Sequence, residues 1–248
     1  MHHRPIRIAV SIALAGAGAL VALPLGPAQA AGPELIPLPP PGAFVRHVTN
    51  RYLPLRPGTV WVYEGRGSSA GERDVVRVLR RTRKVAGIRA TVVLDRVTED
   101  GELVELTYDW YAQDRRGRVW YLGENTKAFE NGQVSTEGSW ETGVDGARAG
   151  VAMFGKGRIG RTYWQEFKAG EAEDQGRLLD RRMRVSGPTG DYRRVRMTKD
   201  TTPLEPEVTE LKFYAPGVGV VLELGLSPDP GRVDLVRFTP GGPATGAR

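Results

Sequence analysis

Carboxylates are the groups in this sequence best able to do chemistry, because thiols are absent and imidazoles nearly so. There is no cysteine, and of the three histidines His2 and His3 stand at the extreme N-terminus, leaving His47 alone in the body of the chain. That composition removes thiolate and histidine-rich zinc sites, cysteine nucleophiles and disulfide redox chemistry. His47, close to a chain end, reads as a surface residue rather than a lone acid or base. No G-x-S-x-G, P-loop, dinucleotide fingerprint or EF-hand spacing is present. The densest acidic run, Gly170-Glu171-Ala172-Glu173-Asp174, offers Glu171, Glu173 and Asp174 as ligands for a hard cation such as calcium. The competing reading is a solvated acidic loop, since fixed odd-position ligands and a closing bidentate glutamate are missing. A glycosidase-like hydrolase needs two carboxylates facing each other across a cleft. Asp109, Glu141, Glu166 and Glu171 are the candidates, with no pairing fixed by their spacing. No reaction is named by any of this, and no cofactor is expected.

Aromatic residues are the second resource. Trp61, Trp110, Trp120, Trp140 and Trp164 fall on separate runs, mostly as core of a cysteine-free β domain, with some able to line a ligand cavity in a curved sheet. Asp109 to Glu124 carries two aromatic-rich runs around Asp114-Arg115-Arg116-Gly117, the pattern of a hairpin closed by a left-handed glycine. That loop sets Asp114 against Arg118, Ala112 against Trp120 and Trp110 against Leu122. The even face (Val104, Leu106, Tyr108, Trp110, Ala112, Trp120, Leu122) is then nearly all apolar and is expected to be the core. Asp109, Tyr111, Gln113 and Tyr121 share the other face, where polar groups beside rings suit recognition. The candidate ligand-binding set is Trp61, Tyr108, Asp109, Trp110, Tyr111, Gln113, Trp120, Tyr121 and Trp140.

Elements that position these groups must be strands. No segment of helical length after residue 30 carries a 3.6-residue apolar period, whereas about a dozen strand-length runs are punctuated by Gly, Pro, Asp or Asn. The expected fold is all-β: a single antiparallel curved sheet or half-barrel with little helix, closing or curling to hide its edges. Thr59 to Gly65 opens the strand series, followed by Val75 to Thr82 and Ile88 to Thr98 around Ala86-Gly87. A two-residue Asp100-Gly101 turn is expected to pair Arg96 with Glu105 and Val97 with Val104, placing opposite charges across the strands. Gly143 to Gly160 reads as a long irregular loop. Strands follow at Thr162 to Lys168, Arg177 to Val185, Tyr192 to Thr198, Val208 to Ala215, Val218 to Leu226 and Val233 to Phe238.

Residues 1–30 have a basic start, an apolar Gly/Ala-rich run and Ala28-Gln29-Ala30, the form of a cleaved secretory signal. Residues 31–49 form a proline-rich leader expected to make no core of its own, residues 50–239 a single β domain, and residues 240–248 a disordered tail. Loss of Arg4 and Arg7 with the signal lowers the formal charge from +6 to +4. Export is therefore expected, to the periplasm or the exterior, with no transmembrane segment after cleavage and no cysteine to carry a lipid anchor. Arg177, Arg181, Arg182, Arg184, Arg193, Arg194, Arg196 and Lys199 form a basic stretch interleaved with Asp180, Asp191 and Asp200. It reads as a solvated sheet face, not a nucleic-acid surface.

The runs Pro57 to Gly65, Tyr108 to Asp114, Val119 to Glu124, Glu137 to Glu141 with Gly143 to Ala147, Gly170 to Asp174, and Thr201 to Pro206 through Tyr214 to Gly219 resemble a family of exported bacterial proteins of unknown function. More distantly, Phe213-Tyr214-Ala215-Pro216-Gly217-Val218-Gly219-Val220-Val221 looks like the last hairpin of envelope proteins with a curved half-barrel similar to lipoprotein carriers. In that group the concave face holds an acyl chain or other apolar ligand. The leading expectation is a non-enzymatic exported binding or carrier protein with an apolar concavity lined by some of Trp61, Tyr108, Trp110, Trp120 and Trp140, whose partner is an apolar or amphiphilic small molecule or an envelope component. Two other readings stay open: an envelope hydrolase with paired carboxylates, and an interaction module without a small ligand.

Overall fold

Left-handed residue pairs at Ala86-Gly87 (φ 46° and 78°), Asp100-Gly101 (48° and 90°) and Asn131-Gly132 (50° and 74°) turn the chain tightly back on itself. Positive φ at both central positions matches the twist of the flanking strands and so favours hairpins. The computed structural model describes residues 32–228 and 230–242. The expected signal lies outside the described residues, as does most of the expected tail.

Among the described residues there are fifteen strands and one 3-10 turn, Pro41–Ala43. The first meander comprises β1 (Val60–Gly67), β2 (Glu72–Val85), β3 (Ile88–Glu99), β4 (Glu102–Gln113) and β5 (Val119–Glu130). Five short strands follow: β6 (Gln133–Ser135), β7 (Trp140–Glu141), β8 (Arg148–Met153), β9 (Thr162–Trp164) and β10 (Glu166–Phe167). A second meander is β11 (Gln175–Gly187), β12 (Gly190–Thr202), β13 (Glu205–Ala215), β14 (Gly219–Ser227) and β15 (Gly231–Thr239).

All strands join one antiparallel sheet in the order β10-β8-β5-β4-β3-β2-β1-β15-β14-β13-β12-β11-β9, with β6 and β7 also on β5. The meanders meet where β1 pairs with β15. The ladder is open rather than a closed barrel, yet its two edge strands are halves of one run. Thr162–Trp164 pairs with β11 and Glu166–Phe167 with β8, with Gln165 between them. This run caps the edges only in part: β9 covers Gln175 to Arg177 of β11, and β10 covers Arg148 and Ala149 of β8.

The Arg115–Gly117 loop closes as expected: Gly117 is left-handed (φ 77°), its N–H donates to Asp114 O, and Ala112 opposes Trp120. Two bulges then change the expected registers. Thr98 opposes Leu103 but Val97 opposes Glu105, so Val104 is the extra residue and the expected Arg96–Glu105 and Val97–Val104 pairs do not form. Asp95 faces Thr107 instead. Between Asp109 and Tyr111 the register slips again. Asp109 opposes Glu124, and Trp110 lies against both Leu122 and Gly123 instead of Leu122 alone. Each bulge adds one residue to one strand and sharpens the local bend.

The expectation of one buried hairpin face fails because both are buried. Trp110, Ala112, Trp120 and Leu122 pack on the outer side with Val85, Ile88, Ala90, Val92, Ala149 and Val151. Tyr111, Val119 and Tyr121 join the inner core, which also takes Trp61 and Tyr63 from β1 and Phe213, Tyr214, Val233 and Leu235 from the second meander. Part of the cover on the outer side comes from the proline-rich leader, whose Ile36, Leu38 and Phe44 pack there. The leader is therefore docked, contrary to the expectation that it stands apart from any core. The Gly143 to Gly160 segment is likewise not one loop. Its Arg148–Met153 strand pairs with β5, and residues Ala149 to Met153 are all buried, apolar side chains with one glycine among them.

Candidate functional site

Because side chains alternate across a strand, β1, β2, β3, β4, β12, β13 and β14 each send residues onto the shared inner face. There they surround a cavity of about 60 Å³. Its charged lining is Asp95, Asp109, Asp200 and Lys212, its rings are Trp61, Tyr63, Tyr111 and Tyr214, and Leu53 and Leu55 from the loop before β1 form an apolar wall. Gln165, the residue between the two sheet edges, also lines it.

The rings are held by hydrogen bonds at their polar tips. Trp61 Nε1 donates to Val218 O at 2.8 Å and Tyr63 Oη to Val220 O at 3.1 Å. Tyr111 stacks on Tyr121 with centroids 4.7 Å apart, and Tyr121 meets Trp140 edge-on at 5.4 Å. Tyr121 Oη donates to Asp109 Oδ1 at 2.6 Å, and Trp140 Nε1 donates to Glu166 Oε2 at 2.7 Å.

Behind this wall stands an unusual number of buried carboxyl groups. Burial raises the pKa of Asp109, the charge of Asp95 adds to the rise, and the Tyr121 hydrogen bond opposes it. Burial likewise raises Glu124, helped by Glu166 and Asp109. For Glu166, burial and then Asp174 act upward, and Asp174 itself is pushed up to about 7, chiefly by burial. Asp74 is raised by burial and by Asp95. No donor reaches either of its oxygens, so burial beside Asp95 favours its protonated form. A carboxylate removed from water and lacking donors is far costlier than a neutral acid, and protonation is the relief available.

The opposite wall carries the counter-charge. Lys212 Nζ lies 3.6 Å from Asp200 Oδ2 and 3.7 Å from Glu210 Oε2, and its residue pairs across strands with Glu223. Burial disfavours the ammonium, but Glu223, Glu210 and Asp200 outweigh it and hold the pKa of Lys212 well above the ordinary lysine value. Neither oxygen of Asp200 or of the fully buried Glu223 accepts a hydrogen bond.

The structure separates the sequence-derived candidates. Trp61, Asp109 and Tyr111 line the cavity, and Tyr121 and Trp140 back it. Tyr108, Trp110 and Trp120 face the outer side. Arg81 covers Tyr108 and Arg83 covers Trp110 at 4.8 and 4.1 Å from the ring centroids, while Trp120 Nε1 donates to Asp114 Oδ2 at 3.0 Å. Gln113 accepts from Thr49 N–H at 2.8 Å and so ties the leader's end to the hairpin. Of the acidic loop, Glu171 pairs with Lys168 Nζ at 2.6 Å, Glu173 accepts from Gly170 N–H at 2.7 Å, and Asp174 is half-buried. Among the described residues no group of three or more His, Asp or Glu is placed to hold a metal ion. Glu141 is taken up by Arg83 at 2.6 Å. Arg196 departs from the solvated basic face. It is buried, donates to Phe154 O and Gly155 O at 2.5 and 2.8 Å, and lies 3.9 Å over the Tyr52 ring.

Sequence reasoning missed Asp95, Asp200, Lys212, Tyr63, Tyr214 and Gln165. A signal existed for Lys212 and for its partner Glu223: a charge set between apolar neighbours, as in Leu211-Lys212-Phe213 and Leu222-Glu223-Leu224, and for Asp95 at the end of the apolar run Val92-Val93-Leu94.

These features define an all-β protein built on one open antiparallel sheet with an acid-rich inner cavity. No family model and no curated protein matches the sequence. Among solved structures, a Bacteroides fragilis protein described as exported and of YmcC-like fold is similar at 11% identity and a TM-score of 0.42, covering 77% of this chain and 100% of that one. A Parabacteroides distasonis protein described as a lipoprotein is similar at 12% identity and a TM-score of 0.37, covering 77% and 99%. Among the described residues, no helix is long and apolar enough to cross a membrane.

Proposed function

We propose that this chain is an exported, non-enzymatic binding protein of the cell envelope whose inner cavity receives the polar head of an amphiphilic ligand. The observation that carries this reading is the convergence of Asp95, Asp109, Asp200 and Lys212 with Trp61, Tyr63, Tyr111 and Tyr214 around one cavity. Few convergent polar groups within an aromatic and apolar lining is the usual make-up of a ligand site. Export rests on the signal-like segment of residues 1–30. A volume of about 60 Å³ matches about two water-sized groups, so the ligand's apolar part lies along Leu53, Leu55 and Val220 rather than wholly inside. This revises the expectation of a tryptophan-lined apolar cavity holding an acyl chain.

Trp61 supplies the readout. Titration with amphiphiles of differing head group is expected to give a saturable change in tryptophan emission that Trp61→Phe removes. Absence of any saturable change, together with no rise in Tm, overturns the reading. A hydrolase retains one supporting observation, that Asp95 and Asp109 line the same cavity; turnover of chromogenic glycosides, lost in Asp95→Asn and Asp109→Asn, is its test. An interaction module built on the even hairpin face loses support because Trp110, Trp120 and Leu122 are at most 5% exposed.

A further inference from the structure

We infer that the head group this cavity selects is an organic cation, a protonated amine seated between Asp95 and Asp109 and the rings of Trp61, Tyr63 and Tyr111. The inference rests on the binding-protein reading and sharpens it to a ligand class.

Charge balance comes first. Three carboxyl groups and one ammonium line the cavity, and Lys212 is already matched by Asp200, Glu210 and Glu223. Asp95 and Asp109 add two further carboxyl groups on the facing wall. An independent observation points to a missing donor. Asp200 is 7% exposed, lines the cavity, and offers two oxygens that accept no hydrogen bond. Lys212 Nζ stands 3.6 Å from Asp200 Oδ2, an ion-pair distance beyond hydrogen-bond reach, so the three donors of a ligand ammonium can still bond these oxygens.

Shape and lining decide between a metal ion and an organic cation. A hard metal needs a cage of several oxygens at short, fixed distances, and no such group occurs among the described residues. Four aromatic rings on a small cavity suit a cation carried on carbon, held by ring faces as well as by carboxylates. The volume admits an ammonium and about its first methylene, with the remaining chain directed past Leu53 and Leu55.

Proton exchange follows from the surroundings of Asp109. Facing it are Asp95 on β3, Glu105 and Tyr111 on its own strand, Tyr121 and Glu124 on β5, and Glu166 on β10, with Lys212 across the cavity. Burial and the neighbouring carboxyl groups favour the protonated form of Asp109. An entering ammonium takes over part of that neutralising role and favours release of the proton.

Calorimetric titration of the full chain with octylammonium, octan-1-ol and octanoate tests this. The expected result is octylammonium binding at least about tenfold tighter than either, a difference of one decade in Kd. Its affinity is expected to rise with pH while the amine stays protonated, and its heat to vary with the buffer's ionisation enthalpy through proton release. Asp109→Asn and Asp95→Asn are each expected to erase the preference. The wild-type comparison does not depend on either variant folding. Equal or tighter binding of the alcohol or the carboxylate overturns the cation and leaves a binding protein. Binding of none of the three overturns both.

Discussion

Tyr121 donates its phenolic hydrogen to Asp109 across a pair of strands whose register has slipped by one residue between them, and both side chains are buried. Without the slip, Gly123 would oppose Asp109. With it, Glu124 does, and two carboxyl groups share the inner face behind the cavity. Removing the phenol by Tyr121→Phe leaves Asp109 short of a donor in a dry site. The expected cost is about 1–3 kcal/mol, read by urea denaturation, with a further upward shift of the Asp109 pKa in carboxyl NMR titration.

Gly123 is the hinge of that slip. Its φ is 138°, and a Cβ there would run into Trp140 O and sit 2.9 Å from Glu141 Cα. Neither backbone can recede without breaking the β5–β7 pairing. Gly123→Ala is expected to cost more than about 2 kcal/mol and to disturb the Tyr121–Trp140 contact, seen as a change in near-ultraviolet circular dichroism.

Hairpin turns were legible in the sequence because Ala86-Gly87, Asp100-Gly101, Asn131-Gly132 and Gly117 each advertise a left-handed turn. The all-β class followed from them and from the short apolar runs. Both bulges were invisible, since Val104 is an ordinary strand residue and Gly123 reads as one weak position in a strong strand. A one-residue slip exchanges the faces of everything beyond it, so the inner set that includes Glu124 could not be assembled from period alone. The inner cavity draws on strands far apart in the chain, Asp95 and Asp109 from one meander and Asp200 and Lys212 from the other. Local pattern carries no information about that meeting.

Lys212 is the charge on which its wall depends. Lys212→Met would leave Asp200, Glu210 and Glu223 facing one another without a cation, an expected loss of about 3–5 kcal/mol by analogy with breaking a buried pair. Adding Glu223→Gln to that variant removes one of the stranded carboxyl groups, and part of the loss is expected to return. A double-mutant cycle from denaturation midpoints measures the coupling.

Stability should fall as pH rises across the neutral range. Asp74, Asp109, Glu124, Glu166 and Glu223 have raised pKa values, and Asp174 is raised to about 7. A carboxyl raised on folding holds a proton that the unfolded chain has released, so the native state binds more protons and the slope of unfolding free energy with pH is negative. Its contribution is full below about pH 4, the unfolded value, and for Asp174 is lost as pH climbs through about 7. Asp114, lowered despite its burial by hydrogen bonds from Trp120 and Arg118, acts oppositely and loses its contribution as pH falls below the ordinary aspartate range. Tm is therefore expected to be higher near pH 5 than near pH 8. A Tm that is flat or rises over that interval contradicts a protonated interior.

The leader gives the last prediction, because it packs over the outer hairpin face. Glu34 N–H donates to Thr162 O at 2.9 Å, Val45 N–H to Gln113 O at 2.8 Å and Arg115 N–H to Ala43 O at 3.0 Å. Both ends of the segment are thus stitched to the sheet. Between them Phe44 meets Trp120 edge-on with centroids 6.5 Å apart. A chain starting at Asn50 would uncover part of the packing over Trp120 and orphan the Gln113 and Arg115 backbone groups. Phe44→Ala is the milder form, expected to cost about 2 kcal/mol for a half-buried ring. If the leader only covers the outer face, octylammonium affinity stays unchanged in Phe44→Ala while the denaturation midpoint falls. Loss of affinity in parallel with stability would instead show that the outer packing sets the register on which Asp109 and Tyr111 depend.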